Sequence, residues 1–277
     1  MKKFFALILS ALMLTAILCA CNQQQSTNET TVATADERSA NKTELVVFAA
    51  ASMTETLESL KKTYQASHPE IEITYNFDSS GTLKTQIEEG AVCDLFISAA
   101  QKQMNGLEEG DCIDKDTRLD LLENKVALCV AENSKSGIQS YADMKSHLEA
   151  GDILMAIGNE DVPVGQYTQK IFTYYGLDEN ALKKKGVLTY GSNVKEVTTQ
   201  ISEGTVDCGI IYQTDAYSAK LKVADTATEE MCGKVIYPAA VLSKTAHAEE
   251  AKAFLAYLRT EEASKVFEGV GFTPLSE

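Results

Sequence analysis

Basic side chains are scarce in this chain: 25 lysines and arginines stand against 40 aspartates and glutamates, a formal net charge of −15 over 277 residues. That balance excludes a nucleic-acid-binding protein, because phosphates need a basic footprint. It also disfavours a basic clamp on an anionic membrane surface. The histidines, His68, His147 and His247, lie far apart in polar or small-residue settings, which leaves little material for a metal site or for the base of a catalytic triad. Four prolines and 16 glycines exclude a collagen-like or low-complexity chain. No two cysteines have C-x-x-C spacing, so zinc-ribbon and thioredoxin readings are weak. Neither a Gly-x-Ser-x-Gly elbow nor a Gly-x-x-x-x-Gly-Lys-Ser/Thr loop occurs, which argues against a serine hydrolase and a nucleotide enzyme. An enzyme is therefore not expected, and no cofactor is called for. With 44% hydrophobic residues, the chain has enough apolar material for one large core or two of moderate size.

Lys2 and Lys3 precede an uncharged apolar run from Phe4 to Leu18. It is too short for a comfortable membrane span and suits a signal-peptide core. The run ends in Leu18-Cys19-Ala20-Cys21, which resembles the bacterial lipoprotein cleavage box. The expectation is a signal peptide over 1–20, cleavage after Ala20 and a lipid on Cys21. An ordinary secretory signal with incidental cysteines is the alternative. Losing Lys2 and Lys3 moves the net charge from −15 to −17. The segment 21–43 is polar, with almost no large apolar side chain between Asn22 and Lys42. It cannot bury enough surface to offset its ordering entropy and reads as a flexible tether. Localisation is thus expected outside the cytoplasmic membrane, anchored through Cys21. Of the body's five cysteines, 93, 112, 129, 208 and 232, Cys129 and Cys208 sit in apolar runs that read as buried strands.

Within the body, short apolar runs alternate with helical patterns. Glu44–Ala50 reads as a buried strand, and Met53, Leu57, Leu60 and Tyr64 mark one helical stripe. Ser52-Met-Thr-Glu55 fits a capping box, so a helix is expected to start at Ser52. Ile71–Phe77 is the next strand, Asp78–Gly81 a turn, Thr82–Glu89 a helix, and Asp94–Ser98 a third strand. The same alternation resumes after residue 125, with strands at 125–131, 153–157, 187–190, 207–212 and 235–242. This βαβ order implies doubly wound, mostly parallel sheets, and two such units suggest two lobes around a cleft.

In open α/β sheets, ligands bind beyond the carboxyl ends of strands, where helices begin. Four such corners are rich in small or polar residues: Ala49–Ser52, Asp78–Thr82, Asp161–Gly165 and Gly191–Val194. Helix N-termini offer unpaired N–H groups and a positive dipole end. Their convergence would make an anion site from neutral donors, which reconciles an anionic ligand with an acidic protein.

These corners carry a resemblance. Phe48-Ala-Ala-Ala-Ser52, Phe77-Asp-Ser-Ser-Gly-Thr-Leu83 with Gln86-Ile87, Asp94-Leu-Phe-Ile-Ser-Ala99 and Gln101–Met104 resemble the molybdate-binding (ModA) family of ABC transporters. Val162-Pro-Val-Gly165 with Tyr167, Asn193-Val194, Gly209–Tyr212, Asp215-Ala216, Tyr237-Pro238 and Gly271–Thr273 extend the similarity over about 44–277. The resemblance implies an α/β periplasmic-binding-protein type II fold of two lobes that closes on one tetrahedral oxyanion. It implies two crossings between lobes, placed near 123–127 and 232–238. The first lobe is then 44–125 with 236–277, and the second 126–235. It further implies that Ser52 and Ser80 donate from hydroxyl and backbone N–H, Val164 and Val194 from backbone N–H, and Tyr212 from its phenol. The ligand would be molybdate or tungstate, so that metal enters as the oxyanion and no cation site is needed. The implied partners are the permease and ATPase of an importer, with the binding protein a monomer.

Each residue also has a plainer reading. Ser52 could only cap a helix, Ser80 only shape a turn, and Tyr212 only satisfy its own hydroxyl, while Val164 and Val194 could be core residues. Phosphate and sulfate stay open as alternative ligands, because a fold does not choose its ligand. Asp78 is expected to face solvent; a carboxylate in the cleft would repel a fully deprotonated dianion and favour protonated phosphate.

Overall fold

The computed structural model describes residues 42–132 and 134–275. The expected signal peptide, Cys21 and almost all of the tether lie outside the described residues. Ala40–Glu277 forms one compact unit.

The first stretch of chain gives β1 (Thr43–Ala50), α1 (Thr54–Ser67), β2 (Ile71–Asp78), α2 (Ser80–Glu88), β3 (Leu95–Ile97), α3 (Gln101–Glu109) and β4 (Leu119–Asn124). The middle stretch gives β5 (Val126–Val130), α4 (Tyr141–Ala150), β6 (Met155–Gly158), α5 (Pro163–Tyr175), α6 (Glu179–Lys185) and β7 (Leu188–Gly191). It continues through α7 (Val194–Ser202), β8 (Cys208–Tyr212), α8 (Gln213–Ala219), β9 (Lys222–Thr226) and α9 (Glu229–Cys232). The last stretch is β10 (Val235–Val241), α10 (Ala248–Tyr257), α11 (Glu261–Glu268) and β11 (Thr273–Pro274).

The strands form two sheets, ordered β11-β4-β10-β3-β1-β2 and β7-β6-β8-β5-β9. Helices cover the first sheet on both faces, and the side-chain alternation of its strands says why. Leu45, Val47 and Ala49 of β1 enter one buried cluster with Leu57, Leu60 and Phe254, whereas Phe48 enters another with Leu83, Met104 and Leu107. In β3, Leu95 and Ile97 join the first cluster and Phe96 the second. In the second sheet every residue of β5 and β8 is buried, Cys129 and Cys208 among them.

Parallel pairing is confined to β2-β1-β3 and β7-β6-β8; β10 runs antiparallel to β3 and β4, and β5 antiparallel to β8 and β9. The sheets are therefore mixed rather than mostly parallel. A strand that enters a sheet directly from the other lobe has no crossover helix to turn it parallel to its neighbour. β4 and β5 are such a pair: Asn124 ends a strand of one sheet and Val126 begins a strand of the other. β10 returns to the first sheet after β9 has closed the edge of the second.

Two helix starts differ from the sequence expectation. A 3-10 turn, Ala51–Met53, precedes α1, and no side chain caps that helix. α2 begins at Ser80 rather than Thr82, because Ser79 takes the N-cap position and its hydroxyl accepts from the Thr82 N–H at 3.2 Å.

Candidate functional site

The carboxyl ends of β1, β2, β6, β7 and β8 deliver the chain to one small pocket. Ala50, Ala51 and Ser52 follow β1; Asp78, Ser79 and Ser80 lie at the β2–α2 corner; Val162, Pro163 and Val164 open α5; Val194 opens α7; Tyr212 ends β8; Ala99 completes the lining. Ser52, Ser80, Val164, Val194 and Tyr212 are thus brought together, drawn from both sheets. The free space is about 10 Å³, near the size that admits one water. Walls this close require the lobes to separate for any anion to enter. A groove of about 620 Å³ runs along the lobe seam past Lys84, Lys102, Glu109 and Asp161, but its lining is open surface.

Three helices begin at the pocket. Pro163 occupies the first position of α5, where a missing N–H costs nothing, and Val164 follows as the second. Val194 is the first residue of α7, and Asn193 caps it by accepting from Glu196 N–H at 3.1 Å. N–H groups of a first helical turn have no acceptor within the helix, so the valines contribute backbone donors while their side chains stay buried. Two glycines permit the close approach. A Cβ on Gly165 would overlap the carbonyl oxygens of Gly158 and Asn159, and one on Gly81 would overlap the carbonyl oxygen of Asp161 across the cleft.

The hydroxyls are oriented from behind. Ser80 Oγ accepts from Ala99 N–H at 2.9 Å, which fixes the oxygen and leaves its proton to donate. Ser52 is not the helix cap expected of it: its Oγ lies 2.9 Å from Tyr237 Oη. Asn124 Nδ2 donates to that Tyr237 oxygen at 3.2 Å and to Thr214 Oγ1 at 2.9 Å. Either hydroxyl of the Ser52–Tyr237 pair can donate, and when Tyr237 does so the Ser52 proton is left for the pocket. These bonds also tie together β4, β10 and α8 where the chain passes between lobes. The competing partner that defeats the capping box is 185 residues away.

Tyr212 lines the pocket, is 1% exposed, and its phenol oxygen has no hydrogen-bond partner among the described residues. Burial pushes its pKa well above the ordinary tyrosine value, with Tyr237, Tyr167 and Asp215 adding to the rise. The phenol is therefore a fixed proton donor. A buried hydroxyl left unpaired costs about 1–3 kcal/mol, a cost that a ligand oxygen would relieve.

Asp78 does not face away into solvent as expected. It is half-buried, lines the pocket, and its Oδ1 accepts from Ser79 N–H at 2.7 Å and from Asn193 Nδ2 at 3.4 Å. Among the described residues it is the one charged residue of the lining, which includes no lysine, arginine or histidine. Among the described residues, no group of three or more histidine, cysteine, aspartate or glutamate side chains could hold a metal ion.

Sequence reasoning did not find Asn124, Lys195 or the polar role of Tyr237. Lys195 Nζ lies 2.8 Å from Glu55 Oε2 and 3.1 Å from Asp215 Oδ1. A lysine in the first turn of a helix opposes the dipole, and that local conflict is the signal that could have singled it out.

The profile of bacterial extracellular solute-binding proteins matches residues 45–273. Molybdate-binding protein ModA of Haemophilus influenzae is 33% identical over 233 residues, 83% of this chain and 89% of that protein. The chain belongs to the ModA family of solute-binding proteins. A second relative in sequence is YvgL of Bacillus subtilis (strain 168), assigned by name to ABC transporter substrate-binding lipoproteins; it is 34% identical over 276 residues, covering 99% of each chain. Among solved structures, the periplasmic molybdate-binding protein of Azotobacter vinelandii superposes with a TM-score of 0.73 at 21% identity, over 84% of this chain and all of that one, which shows the fold. As a family member the protein is an extracytoplasmic substrate-binding component of an ABC transporter, the class that hands a bound solute to a permease and its ATPase. No helix among the described residues is long and apolar enough to cross a membrane.

Proposed function

We propose that this protein captures molybdate or tungstate in the inter-lobe pocket and delivers it to the permease of an ABC importer. Ser52, Ser80, Val164, Val194 and Tyr212 are the donors, and lobes 44–125 with 236–277 and 126–235 close on the ion. The observation that carries the reading is the buried, unpartnered phenol of Tyr212 in a pocket of helix N-termini with no cationic side chain. Backbone N–H groups and hydroxyls dominate such a site, and a fully deprotonated tetrahedral dianion is a ligand that needs donors. Relatives named for molybdate binding support the choice. The protein acts as a monomer with no cofactor and no catalytic step, held at the membrane by a lipid on Cys21; a relative named as a lipoprotein over its full length supports the anchor.

Phosphate is the second reading, favoured by one observation: Asp78 lines the pocket, and a carboxylate there accepts a proton that monohydrogen phosphate carries and molybdate lacks. Calorimetric titration of Ala40–Glu277 with molybdate, tungstate, sulfate and phosphate separates the two. One-to-one binding of molybdate and tungstate alone is expected. Phosphate binding that is lost in Asp78→Asn would replace the first reading by the second, and binding of none of the four would end both.

A further inference from the structure

Two contacts cross the cleft on either side of Val194. Asn193 Nδ2 reaches Asp78 in the first lobe at 3.4 Å. Lys195 Nζ donates to both carboxylate oxygens of Glu55, also in the first lobe, at 2.9 and 2.8 Å. The same ammonium lies 3.1 Å from Oδ1 of Asp215 in α8 of the second lobe. The three groups differ in exposure: the side chain of Asp215 is fully buried, that of Lys195 30% exposed and that of Glu55 52% exposed.

The triad has a direction. Lys195 and Asp215 belong to one lobe and stay together whether the cleft is open or shut. Glu55 sits on α1 of the other lobe and is within reach only when the lobes meet. Lys195 occupies the second position of α7, where a cation opposes the helix dipole; both carboxylates offset that conflict and turn the ammonium away from the pocket. The anion donors can therefore stay neutral while a lysine stands one residue from Val194.

We propose that Lys195 is a positioning residue for the anion site: seated on Asp215, it grips Glu55 when the lobes close and so fixes the first turn of α7, with the Val194 N–H, against the bound ion. The proposal rests on the reading of the pocket given above and adds a residue that touches no ligand. An interaction made only in the closed form shifts the equilibrium by its own differential free energy. It slows release and, because the cleft must open before an ion enters, it holds back entry into the ligand-free closed form as well.

Stopped-flow kinetics with molybdate as the probe test this on the full-length protein and on Glu55→Gln, Lys195→Met and Lys195→Arg. Glu55→Gln is expected to release the ion roughly threefold faster, as a half-exposed pair allows, and to capture it no more slowly than the wild type, because the ligand-free cleft opens more readily as well. Lys195→Met is expected to release it faster still, because Asp215 then loses its cation as well. Lys195→Arg restores slow release, since a guanidinium can span both carboxylates. Release at the wild-type rate in Glu55→Gln overturns the proposal. So does a defect in Lys195→Met that arginine does not rescue and that follows the melting temperature, which marks a merely structural lysine. If the wild type binds only phosphate or sulfate, the same four proteins are compared with that ion. If it binds none of the anions, the pocket reading has failed, and deuterium exchange decides the latch: Glu55→Gln must speed exchange in the first turn of α7 in the ligand-free protein, and unchanged exchange rejects it.

Discussion

Tyr212 and Ser80 would each give the ligand a hydroxyl, yet removing them should have different consequences. The Tyr212 oxygen has no partner among the described residues, so Tyr212→Phe removes an orphan and should leave the ligand-free melting temperature equal or slightly higher. A hydrogen bond to a charged group contributes about 1.5–3 kcal/mol, so molybdate affinity should fall roughly tenfold to a hundredfold. Ser80 Oγ also satisfies Ala99 N–H; Ser80→Ala should weaken binding and lower stability by about 1–3 kcal/mol as that buried N–H loses its acceptor. Paired calorimetry and thermal melts check the contrast, and a destabilised Tyr212→Phe would contradict it. Asp215 makes a second prediction. Burial raises its carboxyl to about 6 from the ordinary 3.8, with Lys195 pulling the other way. Lys195 is held above its own ordinary value, burial being outweighed by Asp215 and Glu55 together. The folded form therefore holds the Asp215 proton more tightly than the unfolded form does, so this group's contribution to stability falls as pH rises from about 4 to about 6. Its full size is at most roughly 3 kcal/mol. Asp215→Asn should lack that decline, and urea midpoints at pH 4.5 and 7 that change equally in both proteins would refute it.

At the scale of elements, the site depends on how helices begin. Asn193 both caps α7 and reaches across to Asp78. Asn193→Ala should cost about 1 kcal/mol from the lost cap and should weaken anion binding beyond that, whereas Asn193→Ser restores the cap without the reach. Wild-type affinity in Asn193→Ser, measured by titration, would show that only the cap matters. Gly165 sets how closely α5 approaches the end of β6, and a methyl group there meets backbone carbonyls that cannot swing aside. Strand positions with strong periodicity were legible in sequence: β1, β2 and β8 lie within a residue of where their apolar runs suggest. β4 and β9 were not, because β4 alternates weakly and β9 is an edge strand that is exposed or half-buried throughout. The start of α1 was misread for a different reason. Ser52 has the right local chemistry for a cap, but Tyr237 claims its hydroxyl.

For the whole molecule, the cleft walls are already in contact: Gly81 packs on Asp161, Asn193 on Asp78, and Lys195 on Glu55. Capture then requires opening, and retention depends on contacts made from both lobes. The proposed anchor is tested in cells. Cys21→Ser should move the protein from the membrane fraction to the soluble fraction, or leave it as an unprocessed precursor, while Cys19→Ser changes nothing; retention of processed Cys21→Ser at the membrane would refute it. An acidic protein of net charge −15 should also bind its anion faster as salt rises, because screening weakens the overall repulsion.

The sequence alone determined the α/β alternation, the family and the small polar corners, since each is a matter of local pattern or of residue types in order. It could not determine which partner each polar group takes. Ser52 with Tyr237, Ser80 with Ala99, Asn193 with Asp78 and Lys195 with Glu55 and Asp215 are pairings across 19 to 185 residues. The direction of the crossing strands is of the same kind. Hydrogen bonds and ion pairs are short-ranged, so the choice among chemically equal partners is made by the fold that brings them within reach.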